Sequence, residues 1–262
     1  MQPVSVVDVR GVSTAFSRRG SGEPVLLIHG AEADRTMFDA FARLLERRFT
    51  VIAYDQRDSG ATRNPPVPYG LDELAEDAAG LITALGYECV HVFGTSLGGA
   101  IAQVLARRHP QLIGRLVLAS TFRIDVSPSS VNPGVFSKLA ALRAELPGSA
   151  AEIACHYYPP EYVASYPEVA DRFCGGSRTE EQRKRRAAIL SRPVPGDLGP
   201  IEATTLILVG GADRLIPPDH TIALGQMISK SSVVVMPGIG HVATRQAPEM
   251  AAAEVMTFLE KA

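Results

Sequence analysis

The run Val90-His91-Val92-Phe93-Gly94-Thr95-Ser96-Leu97-Gly98-Gly99-Ala100 constrains the fold of this chain more than any other segment. An apolar, largely β-branched stretch stops at Gly94, and Ser96 follows two residues later. Gly98 and Gly99 then open a helical pattern that runs through Ala106. The chain must therefore pass from strand to helix through a tight turn centred on a serine. Gly94 and Gly98 have no Cβ, so strand and helix can come close together there. Ser96 is expected at positive φ, a conformation that costs energy in a non-glycine residue. A glycine-rich turn around an inert serine fits the same string, and only partners at other strand ends distinguish the two.

Strand and helix patterns alternate on either side of this turn. Val4–Val9 and Val12–Ser17 flank Arg10-Gly11 and predict an antiparallel hairpin. Val25–His29 is a short apolar run of the kind found in buried parallel strands. A helix is expected over Thr36–Glu46, a strand over Phe49–Tyr54, and a helix over Leu71–Leu85 that Gly86 can end. Arg115–Ser120, Leu206–Val209 and Val233–Met236 read as further strands, with a helix over Thr221–Ile228 and a last one over Ala247–Leu259. This alternation predicts an α/β protein with a doubly wound, mostly parallel sheet covered on both faces by helices. It lapses between Thr121 and about Pro200, where prolines separate helical fragments. The expected organisation is a core domain of residues 1–120 and 201–262, with a helical cap inserted at 121–200.

Composition excludes several classes. A formal net charge of −2 gives no reason to expect nucleic acid or an anionic membrane surface as partner. Cys89, Cys155 and Cys174 show no metal-ligand spacing, so neither metal nor disulfide is expected. The N-terminus carries no signal-peptide pattern and no apolar run could span a bilayer, so the expected location is cytoplasmic. Arg183-Lys184-Arg185-Arg186 reads as a solvated helix face. A monomer and a homodimer are both compatible with the sequence.

A serine hydroxyl is a weak nucleophile that needs a base, and the base needs an orienting acid. Asp213 stands just after the Leu206–Val209 strand, in Gly210-Gly211-Ala212-Asp213. His241 follows the Val233–Met236 strand, in Gly238-Ile239-Gly240-His241. Ser96, Asp213 and His241 are thus the candidate catalytic residues, in the chain order serine, acid, histidine. Asp125, after the Arg115–Ser120 strand, is the competing acid. Acyl transfer also needs two N–H donors for an oxyanion. Leu97, at a helix N-terminus, is one candidate; Ala31, in the loop after His29-Gly30, is the other. His29 is then a residue that orients this loop by a side-chain hydrogen bond.

These motifs resemble the α/β-hydrolase fold family over nearly the whole chain. The matching residues are His29-Gly30, Asp55-Gln56-Arg57-Asp58-Ser59-Gly60, Gly94 to Gly99, Asp213 ahead of Pro217, and Gly240-His241. The resemblance implies an eight-stranded sheet with the cap after the sixth strand, and no cofactor. It departs at Asp58, where relatives usually carry glycine; aspartate tolerates the left-handed backbone better than most residues. Short strings are similar to polyketide methylesterases, enol-lactone hydrolases and cofactor-free haloperoxidases (perhydrolases). Haloalkane dehalogenases are excluded, because Ser96 stands where they carry a nucleophilic aspartate.

The expected activity is hydrolysis of a small carboxylic ester or lactone through an acyl-enzyme. Carbon–carbon bond hydrolysis and perhydrolysis use the same residues, and small-molecule receptors occur on the same fold. Met37, Phe122, Phe136, Leu139 and Leu142 are candidate pocket residues, as are Tyr157, Tyr158, Tyr162 and Val242. Together they favour an uncharged, moderately hydrophobic substrate. Glu32 is placed in the oxyanion loop, where it can meet substrate hydroxyls; Asp34 can do so or cap the Thr36–Glu46 helix.

Overall fold

In the computed structural model, described for residues 4–126, 128–174, 178–189 and 198–261, a single sheet holds the strands in the order β1-β2-β4-β3-β5-β6-β7-β8. The strands are β1 (Ser5–Val9), β2 (Val12–Arg19), β3 (Pro24–Ile28), β4 (Thr50–Tyr54), β5 (Val90–Thr95), β6 (Ile113–Ala119), β7 (Thr204–Gly210) and β8 (Ser231–Met236). β1 and β2 form the expected hairpin, and β2 pairs antiparallel with β4. From β4 to β8 every pairing is parallel. The architecture is therefore the α/β, doubly wound, eight-stranded and mostly parallel one that the motifs implied.

Successive residues of each central strand enter opposite cores. Leu26, Ile28 and Val92 join α2 (Leu71–Ala84) and α3 (Leu97–Arg108) on one face. Val25, Leu27 and Phe93 join α1 (Asp39–Leu45) and the C-terminal helix on the other. Both faces being dry is why these strands read as continuous apolar runs. Burying each such side chain stabilises the fold by roughly 1.5–3 kcal/mol. The Phe38, Phe41 and Phe93 rings pack at 5.1–6.4 Å under the β3–β5 region.

Two expected helices are divided. Over Thr36–Glu46 the chain makes a 3₁₀ turn, Arg35–Phe38, before α1. Arg35 N bonds Asp55 Oδ1 and Thr36 N bonds Asp34 Oδ1, both at 2.8 Å, and these side-chain acceptors tighten the first turn. Asp34 is thus a cap, one of the two roles open to it. Over Thr221–Ile228 there are two short helices, α9 (Pro218–Ile222) and α10 (Leu224–Met227), numbered after the insertion. The insertion between β6 and β7 contains α4 (Pro128–Val131), α5 (Pro133–Ala144), α6 (Ala150–Tyr157), α7 (Pro160–Ser165) and α8 (Glu180–Ile189). Part of its expected span, 190–197, lies outside the described residues. After β8 come α11 (Ala243–Gln246) and α12 (Pro248–Leu259).

The closest packing in the sheet layer is at Gly98. A Cβ there would stand 2.0 Å from Ile28 O, at the end of β3, and at Gly94 it would meet Gly98 O at 2.3 Å. Both clashes are with backbone, which cannot swing aside. Gly98→Ala should therefore lower the unfolding free energy by about 3 kcal/mol, read as a reduced urea midpoint at unchanged slope.

Candidate active site

Ser96 sits at φ 55° and ψ −122°, between β5 and α3. The sheet holds it there. Ser96 N donates to Ala119 O at 3.0 Å, and Ser96 O accepts from the Thr121 hydroxyl at 2.7 Å. Gly99 N donates to the same carbonyl at 2.9 Å. Strain at a single residue persists only where its surroundings over-determine it, and Ala119, Thr121 and the first turn of α3 do so here. Leu97 is the first residue of α3, so its N–H has no helical acceptor.

Asp213 and His241 meet at the carboxyl ends of β7 and β8. His241 Nδ1 and Asp213 Oδ2 are 2.8 Å apart, both residues buried. Asp213 Oδ1 accepts from Leu215 N at 2.9 Å and Ile216 N at 3.0 Å, which leaves the carboxylate one orientation. With Nδ1 donating to Asp213, Nε2 is the free acceptor. The backbone of His241 is set by the insertion: His241 N donates to Tyr157 O at 2.8 Å. A Cβ at Gly240 would lie 2.7 Å from that carbonyl, so α6 can approach this loop only over a glycine. Asp125, the competing acid, lies elsewhere, exposed and paired with Arg123.

His29 is fully buried, with Nδ1 2.8 Å from Gly30 O and Nε2 accepting from Gln56 N at 3.2 Å. Nδ1 donates in this arrangement, and the ring is neutral. Burial drives its pKa down from 6.5 to about 3, and the Arg186 guanidinium pushes the same way. Gln56 Nε2 returns a bond to His29 O at 2.6 Å. The loop carrying Gly30 and Ala31 is thereby tied to the turn after β4.

A cavity of about 490 Å³ opens over these groups. Ser96, His241, Ala31 and Leu97 line it, and Asp213 stands behind His241. Of the expected wall, Glu32, Met37, Phe122 and Phe136 line it, as do Tyr157, Tyr158 and Val242. Leu139, Leu142 and Tyr162 do not. Leu139 is fully buried in the core cluster on the α2–α3 face, where it packs the insertion down instead of facing substrate. Phe173, Leu215 and Ile216 complete the apolar surface, while Arg143, Arg172 and Arg245 add a charge that the sequence reading missed. Arg245 follows His241 by one helical turn, a signal that was available; Arg143 and Arg172 are placed by the packing of the insertion. Among the described residues no group of three or more His, Cys, Asp or Glu is placed to hold a metal ion. No helix among them is long and apolar enough to cross a membrane.

The family model described as alpha/beta hydrolase fold matches residues 23–246. The chain belongs to the α/β-hydrolase fold family. A 2-(acetamidomethylene)succinate hydrolase of Mesorhizobium japonicum is 26% identical over 97% of this chain and 94% of its own. A 2-hydroxy-6-oxo-2,4-heptadienoate hydrolase of Pseudomonas putida is 29% identical, with coverage of 88% and 87%. Among solved structures, a thermophilic esterase from Thermogutta terrifontis superposes with a TM-score of 0.83 at 27% identity, covering 98% of both chains.

Within this α/β-hydrolase, Asp58 is the departure from the commoner glycine, and it adopts the left-handed conformation at φ 54°. Its carboxylate receives Arg185 Nε at 2.7 Å, Arg185 Nη2 at 2.8 Å and the Tyr69 hydroxyl at 3.0 Å. Burial pushes this carboxyl up, but the bonds from Arg185 and Tyr69 outweigh it and hold it below the usual range. Two more arginines reach the same region. Arg186 Nε donates to Ala31 O at 3.0 Å and its Nη1 to Arg57 O at 2.8 Å. Arg178 donates to Asp58 O at 2.6 Å and Ala33 O at 2.8 Å. The basic run is therefore only half solvated: Lys184 faces water, whereas Arg185 and Arg186 fasten α8 to the turn after β4 and the loop after β3. The periodicity of a helix as polar as α8 cannot reveal that a buried carboxylate and two backbone carbonyls await it.

Arg185→Ala should cost about 3 kcal/mol, because it strips the main partner from a buried carboxylate. Combining it with Asp58→Gly should recover much of that loss in the same denaturation assay, since glycine takes the turn without strain. His29 is neutral in the folded protein and titrates near 6.5 when unfolded, so its contribution to stability is complete above that pH. The contribution is lost as pH falls from 6.5 towards about 3. Denaturation midpoints across this range should fall less steeply in His29→Gln than in the wild type.

Proposed function

We propose that the protein is a serine hydrolase that cleaves a small carboxylic ester or lactone through an acyl-enzyme. The observation that carries this reading is the Asp213–His241 pair facing the same cavity as a serine held at positive φ. Ser96 Oγ attacks the carbonyl carbon while His241 Nε2 accepts its proton. The carbonyl oxygen becomes an oxyanion, stabilised by the N–H groups of Ala31 and Leu97 and by the N-terminal dipole of α3. As the tetrahedral adduct collapses, the bond to the leaving oxygen breaks and His241 returns the proton to it. Water, deprotonated by the same imidazole, then releases the acid and restores Ser96. Asp213 keeps Nδ1–H fixed throughout. Arg186 positions the oxyanion loop through its bond to Ala31 O.

The similarity to the Thermogutta terrifontis esterase supports ester cleavage. The similarity to the 2-hydroxy-6-oxo-2,4-heptadienoate hydrolase supports a second reading, cleavage of a carbon–carbon bond beside a ketone by the same residues. A panel of esters, lactones and vinylogous diketones separates the two by kcat/KM.

Ser96→Ala should lower kcat by about 10⁶-fold and Asp213→Asn by about 10⁴-fold. A fluorophosphonate should label the wild type once, at Ser96 by peptide mapping. Full turnover by Ser96→Ala on the best substrate of the panel would sink the mechanism.

A further inference from the structure

Among the described residues, two cations on the cavity wall form no ion pair. The carboxylate and guanidinium side chains lining it are Glu32, Asp34, Arg143, Arg172 and Arg245. Glu32 is taken by Arg143, at 3.6 Å. Asp34 is taken by Thr36, whose N and Oγ1 donate to the same carboxylate oxygen at 2.8 and 2.5 Å. Asp39, the other acidic group that Arg245 senses, pairs with Arg19 at 3.5 Å. Among the described residues neither Arg172 nor Arg245 has a carboxylate within ion-pair distance. Nε of Arg245 donates to Met37 O at 3.2 Å and its guanidinium meets the Tyr158 hydroxyl, two neutral partners that leave its charge unbalanced.

The surroundings make this arrangement costly. Arg245 is partly buried, and burial pushes its guanidinium below the usual range while nearby Arg172 pushes it further. The neighbouring Tyr158 hydroxyl offers no negative charge, because its own burial raises it above the ordinary tyrosine value and keeps it protonated. A desolvated cation facing a second cation is stable only if something else in the fold supports it, and it favours an incoming anion. The planar fork of a guanidinium matches both oxygens of a carboxylate. Arg245 follows His241 by four residues, so α11 would hold the anion about one helical turn beyond the proposed base. Phe122, Phe136 and Phe173 offer apolar wall for the chain between the two ends of a substrate.

We propose that Arg245, supported by Arg172 at the rim, binds a carboxylate of the substrate, so that the molecule hydrolysed is a monoester of a small dicarboxylic acid or a carboxylated lactone. This rests on the hydrolase reading above and replaces the uncharged substrate expected from the sequence.

Monomethyl glutarate and methyl valerate test it, since they differ only by carboxylate against methyl at the far end. The wild type should favour monomethyl glutarate by tenfold or more in kcat/KM. Arg245→Met should lower that selectivity ratio at least 30-fold, Arg172→Gln by less, and Arg245→Lys should keep part of it as a charge-retaining control for folding. Glutarate should raise the melting temperature of Ser96→Ala, and the rise should vanish in Ser96→Ala/Arg245→Met. A wild type that prefers methyl valerate overturns the proposal, as does a selectivity ratio untouched by Arg245→Met. Tighter binding of inorganic phosphate than of glutarate overturns the carboxylate assignment. If neither ester is turned over, simple methyl esters are ruled out as substrates, and the hydrolase reading stands or falls on the wider panel. The glutarate titration of Ser96→Ala still decides the anion seat: shifts that depend on Arg245 support it, and no shift overturns it.

Discussion

The contact between Gly98 and the end of β3 is the constraint on which the rest depends. It allows α3 to start directly against the sheet, which forces Ser96 into the left-handed region and points the first free amide of the helix at the cavity. The strain at one residue is small beside what holds it. Ala119, Thr121 and the first turn of α3 all bond the Ser96 backbone, and these groups belong to a sheet buried on both faces. A serine so placed cannot relax without breaking several buried hydrogen bonds, each costing about 1–3 kcal/mol if left unpaired.

Buried charge does the second piece of organisation. The loop after β3 and the turn after β4 expose carbonyl oxygens and a carboxylate toward the insertion, and Arg178, Arg185 and Arg186 satisfy them. Nearby, Arg57 and Asp77 form a two-bond buried pair at 2.6 and 2.9 Å. These interactions contribute less net stability than their number suggests, because every ion lost its hydration. Their effect is geometric: several bonds of fixed direction converge on Ala31 and His29, so the loop has one position. The insertion is joined to the site on both sides, by α8 at the oxyanion loop and by Tyr157 at His241.

The cavity divides by polarity. Aromatic and aliphatic side chains form most of its surface, with the serine and imidazole at its floor and Arg172 and Arg245 on its wall. The arginines that fasten the insertion are each held by several acceptors, whereas among the described residues Arg172 and Arg245 have no carboxylate partner. The contrast separates cations that serve the fold from cations left to meet a ligand.

Local pattern carried much of the architecture. Short apolar runs, the glycine pairs and the hairpin turn determined the strands and the parallel sheet, because a strand buried on both faces leaves an unmistakable apolar string. The same pattern put Ser96, Asp213 and His241 at strand ends, and the structure brings Asp213 and His241 into contact and Ser96 onto their cavity. It misjudged what depends on distant chain segments. One expected helix opens as a 3₁₀ turn because Asp55, twenty residues away, captures Arg35 N. Leu139 packs inward because the sheet-facing core had room for it. Arg185 and Arg186 are anchors, since Asp58, Arg57 and Ala31 lie across from them. The sequence by itself determined the sheet, the turn around Ser96 and the chain order of the site residues. Only the tertiary structure decided which arginines are neutralised and which face the cavity, because pairing of buried charges depends on proximity between segments more than a hundred residues apart.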